Sequence, residues 1–481
     1  MGGDMSCLLP GFYRHWRDSI RGSLPCQETP DPPPERWLQQ VWRHQRVRRD
    51  RLVTLEGQPI RILHPGYWNR EAGPDFRQAV VQFGDDPPVS GDIELDLAIS
   101  GWQGHHHAGN PAYARVILHV VWDAEPKVVL PPVLRLKPYL DAPLAELVPW
   151  LEHEASQLLP PGMLGRCCGP LQAVPDETVA ALLNQAAAER LHRKASEFGV
   201  RARHAGWEQT LWEGLFTALG YKHNGWPLRR VAELVVEQTG NDPLIWEARL
   251  LGLAGLLPTH PPAPPSSARQ VKQLWDCWWR ERERWADQIL PPAVWRLGGI
   301  RPANHPHRRL ALAARWRAAG TLPEQLSSWL TTDSRPDRNP AVALLELLQP
   351  EIEATEFWAH HWTLRSAPGS ELRPFLGLAR TTDLAVNVVL PWLSARAHAG
   401  GDPTLIQRVE ERYFRWPAGQ DNALLRHART RLFAGRNRQL PRTAAVQQGL
   451  LQIVRDFCEP AGPLCSNCRF PSLVLTASET G

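Results

Sequence analysis

The chain has 481 residues, 43% hydrophobic and 22% charged, which is too long for one ordinary core and predicts about two to three domains with a sizeable interior. A formal net charge of +4 excludes identifying a polyanion binder from the total, so any anion-binding surface has to come from local clustering. No run of about 18 apolar residues predicts a membrane span, and Met1 to Pro10 lacks a signal-peptide pattern; the expectation is a cytoplasmic protein with no membrane partner.

The 22 Trp and 46 Pro, set against 3 Met and 6 Tyr, predict rigid segments packed around indole rings. Eight Cys, including the adjacent pair Cys167 and Cys168, do not have the spacing of a small secreted disulfide domain and read as reduced thiols or metal ligands.

Residues 1–34 form an N-terminal segment ending in the proline run Asp31 to Pro34. A helix is predicted to start at Glu35, because Trp37, Leu38, Val41 and Trp42 make one apolar stripe and Glu35 lies in the first turn, where the helix dipole favours an acid. Across 35–145 the pattern turns to short runs rich in Val, Ile and Leu: Pro59 to Leu63, Gln78 to Phe83, Asp92 to Ile99, Arg115 to Trp122 and Val133 to Leu136. Gly, Pro and Asp separate them, which predicts a mixed sheet. From 146 to 457 the pattern is helical, with helices predicted over Val179 to Phe198, Trp207 to Leu219, Pro227 to Glu237, Ile245 to Leu256, Val271 to Ile289 and Arg308 to Arg317. Pro258 to Ser267 reads as an extended loop, and 458–481 is a Cys-rich tail. The fold class is therefore α+β, a mixed-sheet domain followed by a large helical region.

The chemistry is predicted in the strands. Asp75, in Gly73-Pro74-Asp75-Phe76, stands at one strand entrance, and Glu94 lies in the next strand, in Gly91-Asp92-Ile93-Glu94-Leu95-Asp96. Side chains alternate along a strand, so Asp92, Glu94 and Asp96 share one face while Ile93 and Leu95 share the other. Hard carboxylate oxygens suit Mg2+ or Mn2+, which can activate a water for attack on a phosphodiester. The competing reading is that the three acids are the solvated side of an ordinary alternating strand.

This arrangement resembles the PD-(D/E)XK superfamily of metal-dependent nucleases, whose core has an Asp at one strand start and an acid two residues before a Lys on the next. Glu35, Asp75 and Glu94 fall at the acidic positions, whereas Asp96 stands at the Lys position. The resemblance implies a restriction-endonuclease-like sheet and metal-dependent cleavage of nucleic acid. The stretch Trp102 to His107 follows, then Tyr113 and His119, and an imidazole from His105, His107 or His119 can stand in for the lysine as base, ligand or clamp. The alternatives are an exposed turn for the three consecutive histidines and a core role for His119.

Over nearly its whole length the chain also resembles the bacterial family known as domain of unknown function 2851. The likeness is carried by Gly73 to Phe76, Gly91 to Glu94, Trp102 to His107, Tyr113 to Val121, Glu189-Arg190-Leu191 with Lys194, Arg301-Pro302-Ala303-Asn304 and the final Cys cluster. That family generally has His two residues after the strand Glu, so Asp96 is a departure.

Cys458, Cys465 and Cys468 end in a Cys-x-x-Cys pair that suits a soft metal, either Zn2+ or an iron–sulfur cluster. They resemble the iron–sulfur loop of endonuclease III-like glycosylases, but Val474 occupies the fourth position, so a remote ligand is required. The predicted set is Cys168, Cys458, Cys465 and Cys468, with Cys167 the alternative to Cys168. Arg301, Arg308 and Arg309 surround a helix start with Asn304 as its expected N-cap, a pattern that suits phosphate. Glu189, Arg190, Arg193 and Lys194 form a second strip, for which a solvated face or internal salt bridges remain open. Trp275, Trp278, Trp279 and Trp285 have the spacing of a core stripe.

The function expected is a metal-dependent phosphodiesterase acting on DNA or RNA. The alternatives are a non-catalytic nucleic-acid-binding or assembly scaffold on a degenerate nuclease-like fold, and a hydrolase of another phosphate-containing substrate. The oligomeric state is not legible in the sequence.

Overall fold

The computed structural model describes residues 9–20, 31–69, 72–105, 107, 109–124, 131–151, 163–236, 238–258, 265–332, 339–434, 438–459, 465 and 467–479. Most of residues 1–10, most of the loop at Pro258 to Ser267, and His106 fall outside the described residues.

An amphipathic helix, α1 (Phe12–Ile20), precedes α2 (Glu35–His44), which buries Trp37, Leu38, Val41 and Trp42 as the apolar spacing requires. Six strands follow: β1 (Ile60–His64), β2 (Tyr67–Trp68), β3 (Phe76–Phe83), β4 (Val89–Asp96), β5 (Val116–Val121) and β6 (Val133–Arg135). They hydrogen-bond in the order β1-β3-β4-β5-β6, and β2 also pairs with β3. The β1/β3, β2/β3 and β3/β4 pairs are antiparallel, while β4/β5 and β5/β6 are parallel. The sheet is mixed, as the strand pattern predicted.

Alternation along β3 explains why both faces are covered. Ala79 and Val81 join Ile93, Leu95 and Leu118 beneath the α2 stripe, whereas Val80, with Leu63 of β1, faces the core of the helical region. The acidic strand departs from the half-solvated expectation: Asp92, Glu94 and Asp96 are buried along with Ile93 and Leu95. β4 also ends at Asp96, three residues early, because the chain turns into the short helix α3 (Ser100–Gly104).

Beyond α4 (Leu144–Leu151) and α5 (Cys168–Ala173) comes the 30-residue helix α6 (Asp176–Ala205). It is followed by α7 (Trp207–Leu219), α8 (Gly225–Leu234) and α9 (Pro243–Leu253). Trp226 donates its indole N–H to the Leu63 carbonyl at 2.7 Å, joining α8 to β1. The helix expected to run to Ile289 stops at Trp278. There the backbone tightens to three-residue bonds at Arg280 and Glu281, and Glu281 turns to accept a two-pronged bond from Arg249 at 2.7 and 2.6 Å.

Tryptophan packing holds throughout the core: Trp42, Trp212, Trp246, Trp358, Trp392 and Trp416 are fully buried. Their indole N–H groups find acceptors, as buried polar groups must; Trp42 donates to the Pro65 carbonyl and Trp392 to the Trp207 carbonyl, each at 2.9 Å. In the predicted stripe Trp278 and Trp285 are core, but Trp279 is exposed and lies under the Arg282 guanidinium at 4.6 Å. Among the described residues, no helix is long and apolar enough to cross a membrane.

Candidate metal centre

Asp75 and Glu94 meet through a reciprocal clasp. The Asp75 N–H donates to Glu94 Oε2 and the Leu95 N–H donates to Asp75 Oδ2, both at 3.1 Å. The β3/β4 register shifts between Phe76 and Ala79, so the carboxylates collect backbone donors at a point where the ladder is irregular. Helix α2 supplies a third acid. Gln39 Nε2 bridges Asp75 Oδ1 at 2.9 Å and Glu35 Oε1 at 3.3 Å, which the four-residue spacing on one helix face allows. Glu35 was legible as a helix start; Gln39 was missed, although its i+4 position from Glu35 was the available signal.

Asp92 takes a different role although it shares the face of Glu94. Its Oδ1 accepts the N–H of Gln78 at 3.0 Å, where Gln78 sits at φ +59° in the bulge. It lines a separate cavity of about 560 Å³, together with Tyr67, Trp68, Arg77, Arg115 and Arg296.

Asp96, only 2% exposed, is held between two imidazoles: His119 Nε2 is 2.9 Å from Oδ2 and His105 Nδ1 is 3.1 Å from Oδ1. Parallel pairing sets Glu94 beside His119 in register, and the α3 turn returns His105 and His107 over the strand end. His107 is buried, with Nε2 3.7 Å from Glu94 Oε1. Its ring stacks on Trp102 at 5.3 Å and meets the edge of Tyr113 at 3.9 Å. Neither His107 nitrogen has a hydrogen-bond partner, at a cost of roughly 1–3 kcal/mol for a buried polar group. Asp96, His105 and His107 each offer a ligand atom, all within 4.8 Å of one another.

The electrostatics follow from crowding acids in a low dielectric. Burial, helped by Glu35 and Asp96, pushes the Asp75 carboxyl up to about 7. Burial and the Asp75 charge push Glu94 up to about 9. Glu35 is raised by desolvation and then by Asp96, while desolvation lowers His107, which keeps it a neutral ring able to accept a proton or bind a metal. Asp96, His105 and His107 are close enough to one another to hold a metal ion, and the unpartnered His107 nitrogens leave it free to act as a ligand.

The predicted basic residues are not part of this centre. Arg308 is 1% exposed and donates to the carbonyls of Trp358, His361, Arg373 and Pro374. Arg309 is also buried and donates to the Phe375 carbonyl at 2.9 Å and Asn304 Oδ1 at 3.0 Å. Donors spent on internal carbonyls are not available to a phosphate, and of the three only Arg301 is exposed. The N-cap also differs: His305, whose ring accepts the His307 N–H, caps the helix Pro306–Ala319, leaving Asn304 to hold Arg309. The strip on α6 is internal too, since Glu189 pairs with Arg14 and Arg17, Arg190 with Gln448, Arg193 with Glu197 and Lys194 with Asn387. At the second predicted centre Gln172 Nε2 reaches the Cys168 sulfur at 3.5 Å, and Cys167 stands beside Cys458, Cys468 and Cys465.

The mixed sheet, the acid–histidine centre at the end of its inner strand β4 and the long helical region define an α+β protein. The sequence pattern of the family described as Protein of unknown function (DUF2851) matches residues 35–422, and the chain belongs to that family. No curated protein and no solved structure matches the chain.

Proposed function

We propose that the protein is a divalent-metal-dependent phosphodiesterase acting on nucleic acid. The observation that carries this reading is the close meeting of half-buried Asp75 with buried Glu94 and Asp96, beside a histidine, His107, whose two ring nitrogens have no hydrogen-bond partner. Like-charged carboxylates this close favour either protons or a cation, and Mg2+ or Mn2+ would supply charge neutralisation at a phosphoryl oxygen. Asp75 and Glu94 would hold the ion. His107, neutral and set against Glu94 Oε1, is suited to take a proton from water, and Asp96 orients His105 and His119. His105 and His119 would stand in for the lysine of the nucleases this strand pattern resembles.

The substrate side is supported by the cavity next to the Gly73–Asp75 loop. It has exposed Arg77, Arg115 and Arg296 beside the rings of Tyr67 and Trp68, a pairing of cations and aromatics that suits phosphates and stacked bases. The test is incubation of purified protein with single- and double-stranded DNA and RNA, with Mg2+ or Mn2+ and with chelator. Metal-dependent cleavage is expected, reduced about 100-fold or more by Asp75→Asn or Glu94→Gln, the scale of losing one charge-stabilising group. No cleavage across these substrates would overturn the reading.

The second reading, a nucleic-acid-binding or assembly scaffold, is favoured by Asp96 itself, an acid in place of the lysine. Salt-sensitive binding that survives both substitutions without turnover would select it.

A further inference from the structure

Four cysteines from distant parts of the chain meet where its two ends pack together. Cys167 is the residue before α5. Cys458 ends a wide π-helical turn, Val454–Cys458, which follows the helix Ala444–Ile453, and Cys465 and Cys468 precede the last helix, Phe470–Glu479. All four are reduced thiols; Cys167, Cys458 and Cys465 are buried and Cys468 half-buried. Phe457, Phe470, Leu171 and Leu473 pack around them, a dry shell that disfavours free thiolates and pushes the Cys458 thiol up to about 12.

Apolar packing does not explain the local geometry. Cys465 and Asn467 both adopt positive φ, at +54° and +58°, conformations that cost a non-glycine residue roughly 1–2 kcal/mol each. The turn they make brings the Cys468 N–H onto the Cys465 carbonyl at 3.2 Å and sets the Cys465 sulfur against Arg431. That guanidinium is fully buried; its Nη2 donates to Cys465 Sγ at 3.0 Å, and it also bonds Cys458. The Arg431 carbonyl accepts the Gly165 N–H at 2.8 Å, which ties in the loop carrying Cys167. At Gly165 a Cβ would lie 3.0 Å from that carbonyl and 3.1 Å from Cys167 Sγ, so the close approach needs glycine. A buried cation whose hydrogen bonds reach two sulfurs is better matched to thiolates than to neutral thiols, which are weak acceptors.

The size of the cage distinguishes its occupant. A tetrahedral zinc ion with Zn–S bonds of about 2.3 Å holds its sulfurs about 3.8 Å apart. Among the described residues no three of these sulfurs lie within 4.8 Å of one another, a wider spacing than a single zinc ion holds. Four thiolates around a multinuclear centre are the usual ligation of an iron–sulfur cluster.

We infer that Cys167, Cys458, Cys465 and Cys468 are the four thiolate ligands of an iron–sulfur cluster, with Arg431 as the buried cation that offsets part of its negative charge. Each thiol releases its proton to solvent as its S–Fe bond forms, and iron and sulfide come from the assembly reaction. The chain itself is not oxidised. The centre joins the loop before α5 to the C-terminal segment, about 290 residues later in sequence.

The experiment is anaerobic purification of the full chain, with iron, acid-labile sulfide and zinc measured per chain. Iron and sulfide in equal amounts, with a broad visible absorption bleached by dithionite, are expected. Cys167→Ser should lose most of the iron, at least about tenfold, while Cys168→Ser retains it, with both variants checked by far-UV circular dichroism. Stoichiometric zinc without sulfide would overturn the inference. So would a chain that stays metal-free after reconstitution with iron and sulfide, or loss of iron from Cys168→Ser with retention in Cys167→Ser. The content of the unsubstituted protein decides the matter even where Cys167→Ser does not fold.

Discussion

The carboxyl of Glu94 accepts the Asp75 N–H through Oε2 and turns Oε1 toward His107, so one oxygen serves the fold and the other faces the centre. The folded protein keeps protons on Glu94 and Asp75 up to about 9 and 7, whereas in the unfolded chain such groups ionise near pH 4. Between those limits the native state binds more protons, so the stability these groups contribute is fully present below about pH 4 and is lost as the pH rises toward 9. In chelator, the melting temperature should fall from pH 5 to pH 8.5, and Glu94→Gln should flatten that fall. With coupling and screening discounted, about 2 kcal/mol is the expected size. Added Mn2+ should stabilise the unsubstituted protein more at pH 8 than at pH 5, and parallel profiles for the two proteins would refute the electrostatic account. A second residue-scale prediction concerns Gly101, where a Cβ would lie 2.4 Å from Asp96 Oδ1. Gly101→Ala should displace that carboxylate and cost about 1–3 kcal/mol in urea unfolding, with weaker Mn2+ binding by calorimetry. The acids were legible because period-2 alternation sets Glu94 and Asp96 on one face. The His107 environment was not legible, since it depends on how α3 folds Trp102 back over the strand end.

At the scale of elements, pattern and spacing located most of the sheet and the helices α2 and α6 to α9, but not α1, α3, α4 or α5. β5 and β6 lie inside the predicted runs, and α7 spans Trp207–Leu219 as predicted. The two-residue strand β2 carries too few residues for any period, and the end of the predicted helix at Trp278 depends on Arg249, a residue far off in sequence. Sequence also cannot tell a basic cluster that faces solvent from one that faces carbonyls, and Pro306–Ala319 illustrates the difference. Arg308 gathers the segment around Trp358 to Pro374 by its carbonyls and lies over the rings of Trp362 and Phe375 at 5.0 and 4.8 Å. Arg308→Ala would leave those carbonyls buried without donors and should destabilise the protein by several kcal/mol. Arg301→Ala, at an exposed position, should stay within about 0.5 kcal/mol. Chemical denaturation of the two variants separates them, and equal effects would contradict the clamp.

For the molecule as a whole, the matched family region ends at 422, but the packing does not stop there. Tyr13 on α1 donates to Asp456 Oδ2 at 2.7 Å, and one apolar cluster joins Tyr13, Val179, Leu183, Leu425, Leu450, Phe457 and Leu473. The helix Ala444–Ile453 lies against α6 closely enough that a Cβ on Gly449 would meet the Leu183 carbonyl at 2.1 Å and its Cα at 3.0 Å. These are backbone atoms of a 30-residue helix, and a rigid helix cannot give way as a flexible side chain does. Gly449→Ala must therefore push the two helices apart and open a cluster that holds both ends of the chain. A loss of about 3 kcal/mol is expected, with one cooperative unfolding transition if the sheet and helical regions are coupled through α6. Val200 of α6 packs into the sheet core while Leu183 faces the terminal cluster, so the same helix transmits the defect to both. Tryptophan fluorescence and far-UV circular dichroism should then shift together in urea. A variant as stable as the parent would show that the contact yields, and a split transition would show that the sheet region holds without the terminal cluster.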